Sequence, residues 1–564
     1  MLGTIQHILN ASDILKLVIS LSVLLYLIAL IVIHGKMKQN EKSEKIWNLL
    51  CFVPLLLSVI HCIFFASGDV FSMVIQAYQS IYIPSVLIAF LPLLAKKKPL
   101  KIICNVFCVA ISLIILVLSL GSGKVANYTR KSMKDAYLSA CDYIEENYVL
   151  ADWKKVDFEK LKADGLVLVD EAEKTGNTAK YYDALYMLIN SLHDAHAGVS
   201  IYDNESSYIM DKIKVFGDYG LSLITLDNGD TIAVNVEEGL EIKNGDIITK
   251  WDGIPVDEAI DQVVLPTLMG TTTVEHEKMD KTFFLAGVGE DTVNVTYINS
   301  AGKEIVATLS RIEGNQPRAY KSIELFTRLK LEEELNDYRM LDDNIGYLRV
   351  TDEKIDEISD RIGYVTGNHT TAREMFRNDL RELKAQGMTK LVIDIRYNAG
   401  GSNDVATALT SLFTKEKMFA YSLGVKNGEE IKGVSDRYVM ADGEFSDLEV
   451  VVLTSMRCGS AGDGLSLYLS RLPNVTVAGL TNPIGINQET GGLIFMPESV
   501  IIYFPTGLVL DENGNPNIDI DDTRQSRNPV DIKIPLDKDA ALKIFSGEEY
   551  ELEWAVDYLN GDVS

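Results

Sequence analysis

Cysteine is scarce in this chain. Six occur in 564 residues, and four of them (Cys51, Cys62, Cys104 and Cys108) lie in the apolar first 120 residues. Only Cys141 and Cys458 remain beyond, which excludes a disulfide framework. No Cys/His cluster has zinc spacing, so no metal is expected. The chain also lacks the P-loop Lys-Ser/Thr and the three-glycine dinucleotide pattern, and no cofactor is expected. Histidine is nearly as rare: beyond residue 120 there are only His193, His196, His276 and His369. Arginine is absent from the first 120 residues.

What is abundant is acid. The formal charge is −27. Up to residue 120 nine lysines face four acids, so the remainder carries 44 basic against 76 acidic residues. So acidic a region repels phosphates, which excludes nucleic acid as a partner. The length calls for about three or four units.

Four apolar stretches, 17–33, 49–66, 81–95 and 102–120, occupy the first section. A bilayer core of about 30 Å takes roughly 20 apolar residues per helix, so these read as a four-helix transmembrane anchor over residues 1–120. Lysines concentrate in the loops 34–45 and 96–101. The positive-inside rule places both loops in the cytoplasm, and the acidic remainder outside it. The expectation is a multi-pass protein of the cell membrane whose acidic region is extracytoplasmic. The spans hold no dyad or metal ligands, so an intramembrane site is not expected.

Residues 121–205 show helical periodicity and end in LHDAHAGVSI, with His193 and His196 just before a β-like segment. Residues 206–311 change to short strands and turns: FGDYGLSLITL, TIAVNV, a hairpin at Asp252-Gly253, a helix from Asp257, and the hairpin VNVTYINSAGKEIVATL. This succession resembles a bacterial PDZ domain. Gly220, Leu221 and Ser222 stand where that family binds a carboxylate, and Asn244-Gly245-Asp246 matches its common turn. The resemblance implies strand addition by an extended chain whose terminal carboxylate is held by backbone N–H groups.

From residue 312 a helical linker leads to the strand NIGYLRV, a helix over 371–386, and KLVIDIRYNAGGSNDV, a strand, glycine turn and helix. EVVVLTSMRCGSAGDGLSLYL (449–469) repeats the plan, with a buried strand, a polar turn and an apolar-periodic helix. A serine at such a turn meets unpaired N–H groups and the helix dipole, which suits an activated alcohol. It suits a plain N-cap equally. Cys458, two residues earlier, reads as a small turn residue.

IDIRYNAGG resembles the Asp-Leu-Arg-x-Asn-x-Gly-Gly signature of the C-terminal processing (tail-specific) and tricorn-type serine peptidases. TSMRCGSAGD is similar to their nucleophile segment, and LHDAHAGV to the Leu-x-Asp-Gly-His segment of the tricorn-like branch. The resemblance implies an α/β (crotonase/ClpP-like ββα) core over 312–564, with Ser460 as nucleophile and His196 as base. It further implies an oxyanion site at Ala461 with Gly400 or Gly401, and an extended peptide or C-terminal tail as substrate. The departures are specific. Asp463 replaces the usual glutamate, Ala195 a serine, and Gly485 stands where the Ser-Lys branch has its lysine. An imidazole is then the base available near neutral pH. Asp194, or an acid of DIDD (519–522), could orient it. The alternative from the same residues is an inactive receptor for peptide tails.

Overall fold

The computed structural model describes residues 125–563 apart from 203–206, 209–211, 213–215, 267–270, 313–317, 328–336, 355–368 and 428–429. The four expected spans fall outside the described residues. Among the described residues no helix is long and apolar enough to cross a membrane.

The chain enters through strand β1 (Val125–Asn127) and three helices, α1 (Met133–Asn147), α2 (Phe158–Thr175) and α3 (Thr178–Asn190), followed by β2 (Gly198–Ile201). Each helix starts where the sequence supplies a cap: Ser132, Asp157 and Asn177 accept from Asp135, Lys160 and Ala179 N–H respectively. Helix α2 stops at Gly176, whose φ of 71° suits a left-handed cap.

A middle module follows, built of β3 (Ser222–Thr225), β4 (Thr231–Val234), β5 (Ile247–Trp251), β6 (Ile254–Pro255), α4 (Val256–Gln262), α5 (Val274–Leu285), β7 (Thr292–Ile298) and β8 (Glu304–Ser310). Its antiparallel sheet runs β3-β4-β5-β7-β8, with β6 paired to β5. The turn at Asp252 (φ 48°) and Gly253 (φ 79°) has the backbone a tight hairpin needs. The helix expected over Asp257–Leu268 begins at Val256 and already ends at Gln262.

Helix α6 (Arg318–Thr327) leads into the C-terminal half, which contains β9 (Tyr338–Met340), β10 (Ile345–Arg349), α7 (Thr370–Ala385), β11 (Lys390–Asp394), α8 (Asn403–Ser411), β12 (Met418–Asn427), β13 (Glu430–Val439), β14 (Glu449–Leu453), α9 (Ala461–Ser470), β15 (Val475–Gly479), β16 (Glu489–Met496), β17 (Val500–Leu510), β18 (Ile532–Lys533), α10 (Lys538–Ser546) and α11 (Tyr550–Asn560). The central sheet is ordered β18-β15-β14-β11-β10-β9 and is parallel except for β9. Strands β11 and β14 are apolar runs because both of their faces are covered. Asp394 pairs with Leu453, so the turns after the two strands leave the sheet side by side. Such carboxyl ends are where open α/β sheets bind ligands.

The second sheet runs β1-β16-β17-β12-β13, with β2 added to β17. The segment carrying His193 and His196 is thereby stitched to the C-terminal half. The middle module is also bound in. Its core forms one apolar cluster with Tyr347, Val451 and Leu453 of the central sheet and with Leu536, Ile544 and Trp554 of the C-terminal segment.

Beneath the glycine turn lies a buried charge cluster. Arg396 donates to Asp394 (2.7 Å), Glu551 (3.1 Å) and Glu549 (3.1 Å), and Tyr347 donates to Asp394 at 2.8 Å. Arg396→Met would leave the buried Asp394 and Glu551 carboxylates without this cation. The expected cost is about 3–5 kcal/mol by denaturant unfolding, against less than about 1 kcal/mol for Glu549→Gln at the half-exposed member. Equal costs for the two would refute this account.

Candidate active site

Ser460 precedes α9 at φ 57° and ψ −126°, a conformation that a non-glycine residue adopts only when its surroundings impose it. Two bonds impose it: Ser460 N–H donates to Ile486 O (3.0 Å), and Gly459 N–H donates to Asn398 O (3.0 Å). Ser460 occupies the cap position, yet its side chain makes no capping hydrogen bond. The plain N-cap alternative is thereby excluded, and the hydroxyl is left half-exposed.

The glycine turn lies against this serine. Gly400 has φ 87°, and a Cβ there would sit 2.4 Å from Ser460 Cβ and 3.0 Å from its Oγ. Only glycine fits at that separation. Likewise a Cβ at Gly462 would come within 2.4 Å of Asn398 Oδ1. The expected oxyanion donors separate here. Gly400 N–H is already bonded to Asn398 Oδ1 (2.8 Å), so it is not free for an anion. Among the described residues, Ala461 N–H at the start of α9 and Gly401 N–H have no acceptor.

Asp463 holds the opposite wall. Its buried carboxylate accepts from Gly485 N–H (2.8 Å), Ile486 N–H (3.4 Å) and Asn528 Nδ2 (2.7 Å). Burial pushes this carboxyl up to about 7. Gly485 itself has φ 78°, and a side chain there would bring its Cβ to 3.0 Å from Ile520, so a lysine would be strained.

His196 sits in the turn before β2, its N–H bonded to Asp194 Oδ1 (2.9 Å). Its Nδ1 is buried with no partner among the described residues. Burial holds the imidazole below its usual value, so it is a neutral base at neutral pH. No hydrogen bond joins it to Ser460 among the described residues. A strap links their surroundings: Ile486 O receives Ser460 N–H, and the next residue, Asn487, donates its N–H to Asp519 Oδ2 (3.1 Å). Asp519 in turn feels the charge of Asp194.

The two candidate orienting acids differ. Both oxygens of Asp194 are committed, Oδ1 to His196 N–H and Oδ2 to Tyr148 (2.6 Å) and Lys154 (3.3 Å). Of DIDD, only Asp519 and Ile520 are buried, and Asp519 Oδ1 has no partner among the described residues. Burial first, and then the Asp194 charge, raise the Asp519 carboxyl to about 7. No motif points to Tyr148 or Lys154, whose side chains come from the end of α1 and the loop before α2.

Gly220, Leu221 and Ser222 are not open to a ligand. Gly220 N–H bonds Asp218 Oδ1 (2.8 Å), Leu221 and Ser222 are fully buried, and Ser222 Oγ accepts from Ser322 (2.6 Å). Helix α6 packs on both the edge strand β3 and α5, through Ser322 and the Phe283–Phe326 and Phe284–Tyr320 pairs. Arg318 of α6 binds Asp218 (2.8 Å) and Glu237 (2.8 Å). The expected carboxylate loop is therefore closed by the chain's own helix.

Residues 344–522 match the model of Peptidase family S41. They include the glycine turn, Ser460 and Asp519 but not His196. A carboxyl-terminal-processing protease of Picosynechococcus sp. is 23% identical over 197 residues, which are 30% of this chain and 46% of that protein. The chain thus aligns with about half the length of that curated relative. Among solved structures, mature CPAF aligns over 77% of this chain and 99% of its own, at 14% identity and TM-score 0.48. The photosystem II D1 C-terminal processing protease aligns over 74% and 98%, at 15% identity and TM-score 0.32.

Glu353 (about 8), Asp463 and Asp519 (about 7 each) all bind protons more tightly folded than unfolded. Their contribution to stability is complete below their unfolded values near about 4, declines as pH rises from there, and is gone above 7 to 8. The melting temperature is expected to fall across that window, and less steeply in Asp463→Asn. An unchanged slope in that variant would count against a neutral Asp463.

Proposed function

We propose that this protein is a serine endopeptidase that cleaves protein or peptide chains, with Ser460 as nucleophile and His196 as general base. The observation that carries the reading is Ser460 itself. It is held at positive φ at the start of a helix it does not cap, beside a glycine turn that admits no side chain.

In this reading His196 takes the Ser460 hydroxyl proton as Oγ adds to the scissile carbonyl carbon. The oxyanion accepts from Ala461 and Gly401 N–H, each worth on the order of 100-fold in rate. His196 then returns the proton to the departing amine, leaving an acyl-serine that water hydrolyses by the same steps. Either Asp194, whose charge acts on the His196 ring, or Asp519, which keeps one oxygen without a partner among the described residues, orients the imidazole. The match of 344–522 to a serine-peptidase family supports the chemistry.

The middle module we read as PDZ-like and as a gate. Its 271–276 segment touches both sides of the site: Thr271 O is bonded to His193 Nδ1 (3.1 Å), and Thr272 Oγ1 donates to Ile484 O on the strap. An enclosed carboxylate loop favours gating, by local movement of this 271–276 segment, over direct capture of tails. The four apolar stretches anchor the protein in the cell membrane with the peptidase region outside the cytoplasm. The receptor reading keeps one supporting observation, the absence of a His196–Ser460 hydrogen bond among the described residues.

A fluorophosphonate probe on the full chain decides between the two. Labelling is expected in the wild type and lost in both Ser460→Ala and His196→Ala; a wild type that never labels leaves the receptor. Topology is separately testable: cysteines replacing Lys42 and Lys97 are expected to be shielded from impermeant reagents in intact cells, and labelling there would invert the orientation.

A further inference from the structure

Glu353 follows β10 and is 1% exposed, a carboxyl in the core beside the glycine turn. Its backbone bridges Gly401: Glu353 N–H donates to Gly400 O (3.3 Å), and Ser402 N–H donates to Glu353 O (3.1 Å). Its side chain reaches the same turn from another direction. Oε1 accepts from Asn398 Nδ2 at 2.8 Å, while Oε2 is buried with no partner among the described residues. The other Asn398 contacts are Nδ2 to Val350 O (3.0 Å), Oδ1 from Gly400 N–H (2.8 Å) and main-chain O from Gly459 N–H (3.0 Å). One residue thus ties β10, the glycine turn and the serine turn together. Among the described residues, Glu353 is the only one whose side chain is bonded to its amide.

We propose that Glu353 is a positioning residue for the oxyanion-binding turn, acting through the Asn398 amide. Releasing Asn398 frees Gly400 N–H and lets the turn shift relative to Ser460, so the Gly401 donor loses its aim. The effect depends on charge. Burial raises the carboxyl to about 8, so it is largely neutral at pH 7. The groups facing it are few: Asp352 and Lys354 on its own segment, and the Cys458 thiol from the serine turn, which burial keeps protonated. Among the described residues no buried cation offsets an ionised Glu353, and its negative charge would oppose the oxyanion forming on the far side of the turn.

The inference rests on the peptidase reading, and its test is the rate of fluorophosphonate labelling of the full chain over a pH series. The wild-type rate is expected to fall as pH rises through about 8. Glu353→Gln keeps a neutral acceptor for Asn398, so it should retain the neutral-pH rate and lose that alkaline fall. Glu353→Ala should label slower at every pH, on the order of tenfold, with melting curves confirming that it is folded. If it is not folded, the glutamine variant alone decides. An alkaline limb in Glu353→Gln identical to the wild type overturns the proposal, as does a folded Glu353→Ala that labels at the wild-type rate. A wild type unlabelled at all pH values refutes the peptidase reading instead, so the two failures are distinguishable.

Discussion

The site depends on the approach of two turns at the ends of adjacent parallel strands. Strands β11 and β14 finish in register, and the chain leaving each must turn back into a helix within van der Waals reach of the other. That closeness forces glycine at 400 and 462 and leaves Ser460 at positive φ. Backbone in this state is not held by local propensity. It persists because Asn398 binds Gly459 from one side and Ile486 binds Ser460 from the other. Buried polar groups around the turns are therefore a scaffold, and each is placed where an unmade bond would cost about 1–3 kcal/mol.

Most of the elements that position the site were legible in the sequence. Runs such as Val450–Leu453 and Leu391–Ile395 read as buried strands, and glycine-rich turns followed by apolar-periodic segments read as strand–turn–helix units. The signature residues Asp394 and Arg396 were visible as a motif, but not as a buried ion cluster closed by Glu549 and Glu551 more than 150 residues later. Pairings across such distances leave no periodic trace. The long β12–β13 and β16–β17 pairs escaped for a related reason. Each is a hairpin of neighbouring strands, but the sheet they build also takes in β1 and β2 from far earlier in the chain, and no local stretch announces that assembly.

The middle module shows where a motif misleads. Gly220-Leu221-Ser222 has the residues of a carboxylate loop, and β3 does lie at a sheet edge. Helix α6 could not be anticipated there, because its contacts with β3 arise only once the chain has folded back. Its Arg318 pairs with Asp218 and Glu237 and so holds the helix over the loop. The apolar cluster shared with the central sheet and the C-terminal helices makes this module part of the scaffold. Its rotation as a rigid body would expose core surface on both sides.

The cluster around Arg396 also bears on the order of events during synthesis. A ribosome adds residues at about 5–20 per second and domains tend to fold as they emerge. Here Ser460 and its glycine turn appear well before Glu549 and Glu551, which complete the charge pairing under that turn. Until those last acids arrive, a buried guanidinium lacks part of its counter-charge and one face of the central sheet lacks α11. Assembly of the site is therefore completed only once residues 549–551 have been made, well after Ser460 itself.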